Sequence, residues 1–120
     1  MQVPILKQGN VLIATIQAAL TDADLLELRS GLVQQVVRYR SSGVIVDVTA
    51  MDVMDSFASR TLLEISRMIR LRGADTVIVG IQPEVAFAMV QLGVTLEDIP
   101  TALDLEEGLA YLQQTSRSIN

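Results

Sequence analysis

The stretch Val44-Ile45-Val46-Asp47-Val48-Thr49 indicates the fold class of this chain. Its apolar side chains occupy both alternating positions, which is typical of a strand that is covered on both faces, as in a parallel or mixed sheet. The helical pattern that follows places one apolar stripe on Ala58, Leu62, Ile65 and Ile69. A buried strand followed by an amphipathic helix predicts an α/β layer fold.

The same alternation of strand and helix continues toward the C-terminus. Residues 76–81 have the composition of a second buried strand, and Pro83 is placed to begin a short helix. Residues 99–103 are predicted to form a short edge strand, followed by a helix over residues 104–114. We expect residues 115–120 to be a frayed tail.

Two short strands and a long helix are predicted before the central strand. Residues 3–6 and 11–16 are apolar, β-branched runs around a Gly-Asn turn, a pattern that is typical of a hairpin. Thr21, followed three residues later by an aspartate, resembles a capping box and predicts the start of a helix. Apolar residues at helical spacing extend this helix over residues 22–41, with Gly43 as its end.

The predicted elements follow one another without a linker, a repeat or a low-complexity tract. Their order, β-β-α-β-α-β-α-β-α, predicts a single domain over residues 1–120, with its core at about residues 3–114. We expect a mixed, mostly parallel sheet with about four helices packed against it.

The composition disfavours several classes of function. Nine Lys and Arg residues against fourteen Asp and Glu residues give a net charge of -5, which disfavours nucleic-acid binding. The chain has no Cys and no His, and therefore no thiol nucleophile, Ser-His-Asp triad or usual zinc ligand. We expect no catalytic residues, no cofactor and no metal site. Because the apolar runs are short and no secretory signal begins the sequence, we expect a cytoplasmic protein that makes no membrane contact.

The densest polar cluster of the sequence is Thr49 to Arg60, between the central strand and the helix after it. Loops of this kind carry the sites of many α/β proteins. Asp55 or Ser56 either caps the helix, for about 1 kcal/mol of stability, or has a functional role at the helix N-terminus. Among the apolar residues of the cluster are Met51, Met54 and Phe57. They either form an adaptable binding surface or fold back onto the core.

Several segments resemble those of the STAS domain family, which includes the bacterial anti-sigma factor antagonists. They are residues 44–49, Met54-Asp55-Ser56 with the helix after it, and Gly80-Ile81-Gln82-Pro83-Glu84-Val85. The resemblance covers residues 3–112 and implies the SpoIIAA-like STAS fold. Within the family, three motifs are most similar to those of RsbS-type stressosome proteins: Asp55-Ser56-Phe57, Gly80-Ile81-Gln82-Pro83 and Leu92-Gly93-Val94. SpoIIAA-type antagonists usually have Asp-Ser-Ser-Gly at the first motif, and RsbR-type subunits usually have Thr in the serine position and an added sensory domain.

The resemblance implies that Ser56 accepts phosphate from an RsbT-type serine kinase, and that the unphosphorylated protein holds this kinase inactive. Ser59, one helical turn further on, is the second choice of acceptor. The chain is then a scaffold, a kinase substrate and a negative regulator of the general stress response or related signalling, and not an enzyme. RsbR-type STAS paralogues are expected to assemble with it into a large hetero-oligomer, the stressosome, and a PP2C-type phosphatase is a further candidate partner.

The resemblance also implies a partner-binding surface around Ser56. Its expected residues are Met51, Asp52, Met54, Asp55, Phe57, Gln82 and Pro83. A phosphate on Ser56 adds a charge of about -1.5 to -2 beside two acidic residues, so we expect phosphorylation to eject a partner without unfolding the domain. The alternative is a SpoIIAA-type antagonist that binds an anti-sigma factor directly, under control of the same serine.

Two other classes of protein agree less well with the sequence. Asp47 near the end of a strand is similar to the phosphoaspartate of a receiver domain, but no acidic residue precedes Asp22 to provide the required Mg²⁺ ligands after the first strand. Asp47 is therefore expected to be a strand-end or helix-capping carboxylate. Asp52 and Asp55 could form an acid-base pair, but no nucleophile or metal cluster accompanies them.

Overall fold

The computed structural model describes residues 3–18 and 20–117, and within these ranges it contains five strands and four helices. The strands are β1 (Ile5–Gln8), β2 (Val11–Thr15), β3 (Gly43–Asp47), β4 (Asp75–Val79) and β5 (Thr101–Ala102). The helices are α1 (Asp22–Tyr39), α2 (Ser56–Leu71), α3 (Pro83–Leu92) and α4 (Leu105–Arg117). The elements follow the order predicted from the sequence.

The described strands form one sheet in sequence order, from β1 at one edge to β5 at the other. β1 and β2 form an antiparallel hairpin, and every later pair of neighbours is parallel. At the centre, Val46 of β3 is paired with Ala14 of β2 on one side and with Ile78 of β4 on the other. The predicted mixed, mostly parallel sheet with four helices is confirmed.

Alternate side chains of the sheet enter two separate cores. On one face, Val44 and Val46 of β3 belong to a cluster that includes buried residues of α1, α2 and α3. On the other face, Ile45 clusters with Leu112 of α4. β3 is therefore covered on both faces, which explains why both of its alternating sets of side chains are apolar.

Gly43 has a different role from the predicted one. α1 ends at Tyr39, and Arg40 closes the helix in the left-handed conformation, with φ of 51°. Gly43 instead begins β3, where an added Cβ would lie 2.8 Å from the side chain of Leu112. The close approach of α4 to the sheet, and not the termination of α1, favours glycine at this position.

The start of α1 agrees with its prediction, whereas α4 extends further than predicted. Thr21 and Asp24 exchange two hydrogen bonds of 3.0 and 3.1 Å, which confirms the capping box. α4 continues to Arg117, so residues 115–117 of the predicted tail are helical. Residues 118–120 lie outside the described part of the chain. None of the described helices is long and apolar enough to cross a bilayer.

Candidate functional site

A pair of local hydrogen bonds closes the carboxyl end of β3. Asp47 Oδ1 accepts from the backbone N–H of Thr49 at 2.9 Å and from its hydroxyl at 2.6 Å. Asp47 is thus the strand-end carboxylate that the sequence predicts. The chain then leaves the sheet and enters the β3–α2 loop, residues 48–55.

Asp55 caps α2, and Ser56 is the first residue of the helix. Asp55 has an extended backbone, and its Oδ1 accepts a hydrogen bond of 2.8 Å from the N–H of Ala58. Of the two candidates for the cap, the structure therefore selects Asp55. Ser56 is exposed, and among the described residues its hydroxyl makes no hydrogen bond. The Ser56 hydroxyl is consequently accessible to an enzyme and has no structural task.

Ser59 is placed very differently from Ser56. Only 6% of Ser59 is exposed, and its hydroxyl donates to the carbonyl oxygen of Ser56 at 3.2 Å. Its hydroxyl is therefore less accessible to a modifying enzyme than that of Ser56. The geometry therefore favours Ser56 over Ser59 as an acceptor.

The apolar residues of the β3–α2 loop divide between the interior and the surface. Met51 and Met54 are 6% and 4% exposed and belong to the main core. In this structure they are core residues and not part of the exposed surface predicted for them, and burying such side chains is favourable by about 1.5–3 kcal/mol each. Phe57 is partly buried against the same core. Asp52 is exposed as expected, and so is Val53, which the sequence analysis did not select.

The turn between β4 and α3 is attached to the β3–α2 loop. Gln82 Nε2 donates to the carbonyl oxygen of Thr49 at 2.6 Å. Gly80 has a φ of 83° and approaches Thr49 so closely that an added Cβ would overlap the Thr49 hydroxyl. Pro83 is exposed as the first residue of α3. Gln82 and Pro83 therefore lie at the same edge of the sheet as the loop that leads to Ser56.

Ser56 lies in a shallow groove between α2 and the segment after α3. This Ser56 groove has a volume of about 330 Å³ and is lined by Ser56, Ser59, Arg60, Leu63, Gly93, Val94 and Thr95. Arg60 is not among the site residues predicted from the sequence, although its position four residues after Ser56 predicts that both share a helix face. Residues 93–95 reach the groove only through the tertiary fold.

Arg60 contributes a positive charge to the Ser56 groove. Its side chain is exposed, and among the described residues it makes no hydrogen bond or ion pair. Glu64, its natural partner one turn further along α2, instead pairs with Arg29 of α1 at 2.9 Å. The groove that contains Ser56 is therefore also lined by an arginine with no ion pair among the described residues. This positive charge lies on a chain whose net charge is -5.

Arg60 also lines a second groove, of about 440 Å³, together with Phe57, Thr61, Leu63, Glu64 and Arg67. A groove of about 600 Å³ lies between residues 3–5 and α1, but it contains none of the site residues predicted from the sequence. Within residues 3–18 and 20–117, no group of three or more Asp, Glu, His or Cys side chains is arranged to hold a metal ion.

α3 presents apolar side chains to solvent. Phe87, Val90 and Leu92 are 65%, 81% and 76% exposed. Gly93, which ends the helix, also lines the Ser56 groove. Exposed apolar patches of this kind are typical of protein contacts.

The comparison with known sequences identifies a family and a relative. The family model described as STAS domain matches residues 2–108. The RsbT co-antagonist protein RsbRA of Bacillus subtilis (strain 168) is 33% identical over 93 residues, which are 77% of this chain and 34% of RsbRA. The chain therefore spans about a third of the length of this curated relative.

Two solved structures are similar over almost their whole length. RsbS of Moorella thermoacetica, in a variant with Glu in place of a serine, is 33% identical with a TM-score of 0.81, and the match covers 96% of this chain and 97% of that one. A chain from a structure of the stressosome, described as a signal integration and transduction hub, is 34% identical with a TM-score of 0.79. That match covers 95% of this chain and 99% of the other.

Proposed function

This chain belongs to the STAS domain family, and we propose that it is a stressosome scaffold that holds an RsbT-type serine kinase inactive until Ser56 is phosphorylated. It acts as a binding partner and substrate, not as an enzyme, in the general stress response or related signalling. In this proposal it works in the cytoplasm, in a large hetero-oligomer with RsbR-type STAS paralogues. A PP2C-type phosphatase restores the unphosphorylated form.

This proposal rests on the exposed hydroxyl of Ser56, which makes no hydrogen bond among the described residues. Because Asp55 supplies the cap of α2, transfer of a phosphoryl group from ATP to Ser56 Oγ breaks no hydrogen bond that holds the helix. The N–H groups of the first helical turn also tolerate an added anion. The domain is therefore expected to remain folded after modification.

The names of the similar proteins support the choice of partners. RsbRA is named as a co-antagonist of RsbT, and its matched portion is 33% identical to this chain. The stressosome chain matches this one over nearly its whole length. We infer from both that this domain assembles with larger STAS paralogues and that an RsbT-type kinase is the protein it restrains.

Release of the kinase follows from the chemistry of the exposed surface. We propose that the kinase covers Ser56 together with Asp52, Val53, Phe57 and Pro83, which are exposed or partly exposed. Phosphorylation adds a charge of about -1.5 to -2 to this surface. Burying that charge under a partner would carry a large desolvation cost, so the phosphorylated form binds the kinase weakly.

A capture experiment tests the proposal. Wild-type protein, Ser56→Asp and Ser42→Asp are used as baits in native cytoplasmic extract, and bound chains are identified by mass spectrometry. Ser42 is the matched control because it is an exposed serine directly before β3, whereas Ser56 lies beyond the opposite end of that strand.

We expect RsbR-type paralogues with all three baits, and a small ATP-binding kinase with wild type and Ser42→Asp alone. Equal recovery of the kinase with Ser56→Asp would remove Ser56 as the switch. Recovery of an anti-sigma factor without paralogues would replace the proposal with the SpoIIAA-type alternative.

A further inference from the structure

We propose that the phosphate on Ser56 is bound by the guanidinium of Arg60 within the Ser56 groove, so that phosphorylation also withdraws this cation from partners. The inference deepens the proposed function and rests on Ser56 being the phosphoacceptor. It assigns to Arg60 a regulatory role at that same site.

The placement of the two residues permits this contact. Ser56 and Arg60 are four positions apart on α2, a spacing at which helical side chains are neighbours. Both line the Ser56 groove, whose volume of about 330 Å³ leaves room for a phosphate. The wall contributed by Gly93, Val94 and Thr95 carries no charge that would compete for Arg60.

The two acidic residues that flank Arg60 in the sequence, Asp55 and Glu64, each have a hydrogen-bond partner elsewhere. Glu64, one turn toward the C-terminus, is held by Arg29 at 2.9 Å. Asp55 accepts the capping hydrogen bond from Ala58. The guanidinium is consequently unpaired before modification.

A phosphate is a stronger ligand for this guanidinium than either carboxylate. It carries about twice the charge of a carboxylate at pH 7 and offers three acceptor oxygens. Arginine binds such groups through paired, charge-assisted hydrogen bonds. Because the groove is open to solvent, salt will screen the interaction in part.

The pairing changes what the groove offers to a partner. Before phosphorylation, Arg60 can receive a carboxylate from the docked partner. After phosphorylation, the internal phosphate occupies the guanidinium and leaves the groove with net negative charge. The modification therefore removes an attraction as well as adding a repulsion.

The test uses the full chain with phosphoserine inserted at position 56 during translation by an expanded genetic code. No kinase is needed, so failure of this inference can be distinguished from failure of the proposed function. Phosphorus NMR titration measures the second pKa of the phosphoserine in the wild-type background, in Arg60→Gln and in Arg67→Gln. Arg67 is the matched control, because it is an exposed arginine of α2 that does not line the Ser56 groove.

Because a nearby cation stabilises the dianion, we expect the phosphoserine pKa to be roughly half a unit higher in Arg60→Gln than in wild type. Arg67→Gln should give the wild-type pKa. Equal pKa values in wild type and Arg60→Gln would overturn the inference. An equal rise in Arg67→Gln would also overturn it, because the effect would then be one of overall charge.

Discussion

The side-chain amide of Gln82 donates a hydrogen bond of 2.6 Å to the backbone carbonyl oxygen of Thr49, across 33 positions of sequence. Thr49 is itself tied to Asp47 at the end of β3. The turn before α3 and the loop before α2 are therefore joined. We expect the loop that leads to Ser56 to be held by this junction as well as by its own helix.

Replacing Gln82 tests whether the junction holds the loop. We expect Gln82→Ala to speed amide hydrogen exchange in residues 49–55 and to lower the free energy of unfolding by at most about 1 kcal/mol, because the bond is exposed. Gln91→Ala, at an exposed position of α3, should change neither quantity. Unchanged exchange in residues 49–55 would contradict the proposed role of Gln82.

A side chain at position 80 is expected to destabilise the protein. Its positive φ of 83° and the overlap of an added Cβ with Thr49 predict that Gly80→Ala lowers the free energy of unfolding by about 1–3 kcal/mol. Gly31 is the control, because it lies within α1 and an added Cβ would meet nothing within 4 Å. Gly31→Ala should stabilise the protein by up to about 1 kcal/mol in urea denaturation. Similar values for both variants would show that the backbone at Gly80 is not restrictive.

Asp55 is expected to act on stability through its capping hydrogen bond. Asp55→Ala should lower the free energy of unfolding by about 1 kcal/mol, because the N–H of Ala58 loses its acceptor. Asp55→Ser should retain much of this stability, since serine is also a good cap. Asp52→Ala, which removes an exposed acid from the same loop, should have little effect in the same denaturation experiment. A loss with Asp52→Ala as large as with Asp55→Ala would indicate a charge effect instead of capping.

Met54 is expected to contribute to stability, whereas Val53 is expected to contribute to kinase binding. Met54→Ala should cost about 2–5 kcal/mol of stability, because it leaves a cavity beneath a side chain that is 4% exposed. Val53→Ala, at a side chain that is 68% exposed, should stay within about 0.5 kcal/mol of wild type. In capture experiments, Val53→Ala should recover less kinase. If Met54→Ala were as stable as wild type but no longer captured the kinase, Met54 would be a partner-binding residue, as predicted from the sequence.

Ser56 and Ser59 of α2 should give different results in a phosphorylation assay. Incubated with ATP and the captured kinase, Ser59→Ala should gain one phosphate and Ser56→Ala none, as measured by intact mass spectrometry. The reason is the burial of Ser59, whose hydroxyl donates to the carbonyl oxygen of Ser56. Phosphate on the Ser56→Ala protein would instead identify Ser59 as an acceptor.

The local features of this protein could be predicted from its sequence. The cap by Thr21, the start of α2 next to Ser56 and the start of α3 at Pro83 all depend on residues within one helical turn of each other. The apolar pattern of β3 likewise indicated a strand covered on both faces. Interactions of such short range follow from residue type and spacing, so that the order of elements could be predicted. Ser56 was selected as the acceptor candidate through the resemblance to the STAS domain family.

Other features depended on residues that are distant in the chain, and only the tertiary structure decided them. The burial of Met51 and Met54 required the sheet beneath them, because an apolar loop residue is buried only where another element covers it. Arg29, 35 positions before Glu64, decides that Glu64 does not pair with Arg60. Short-range spacing alone favours the pairing of Arg60 with Glu64. The packing of α1 against α2 thus leaves an unpaired charge beside Ser56, since a carboxylate engaged by one guanidinium is less available to a second.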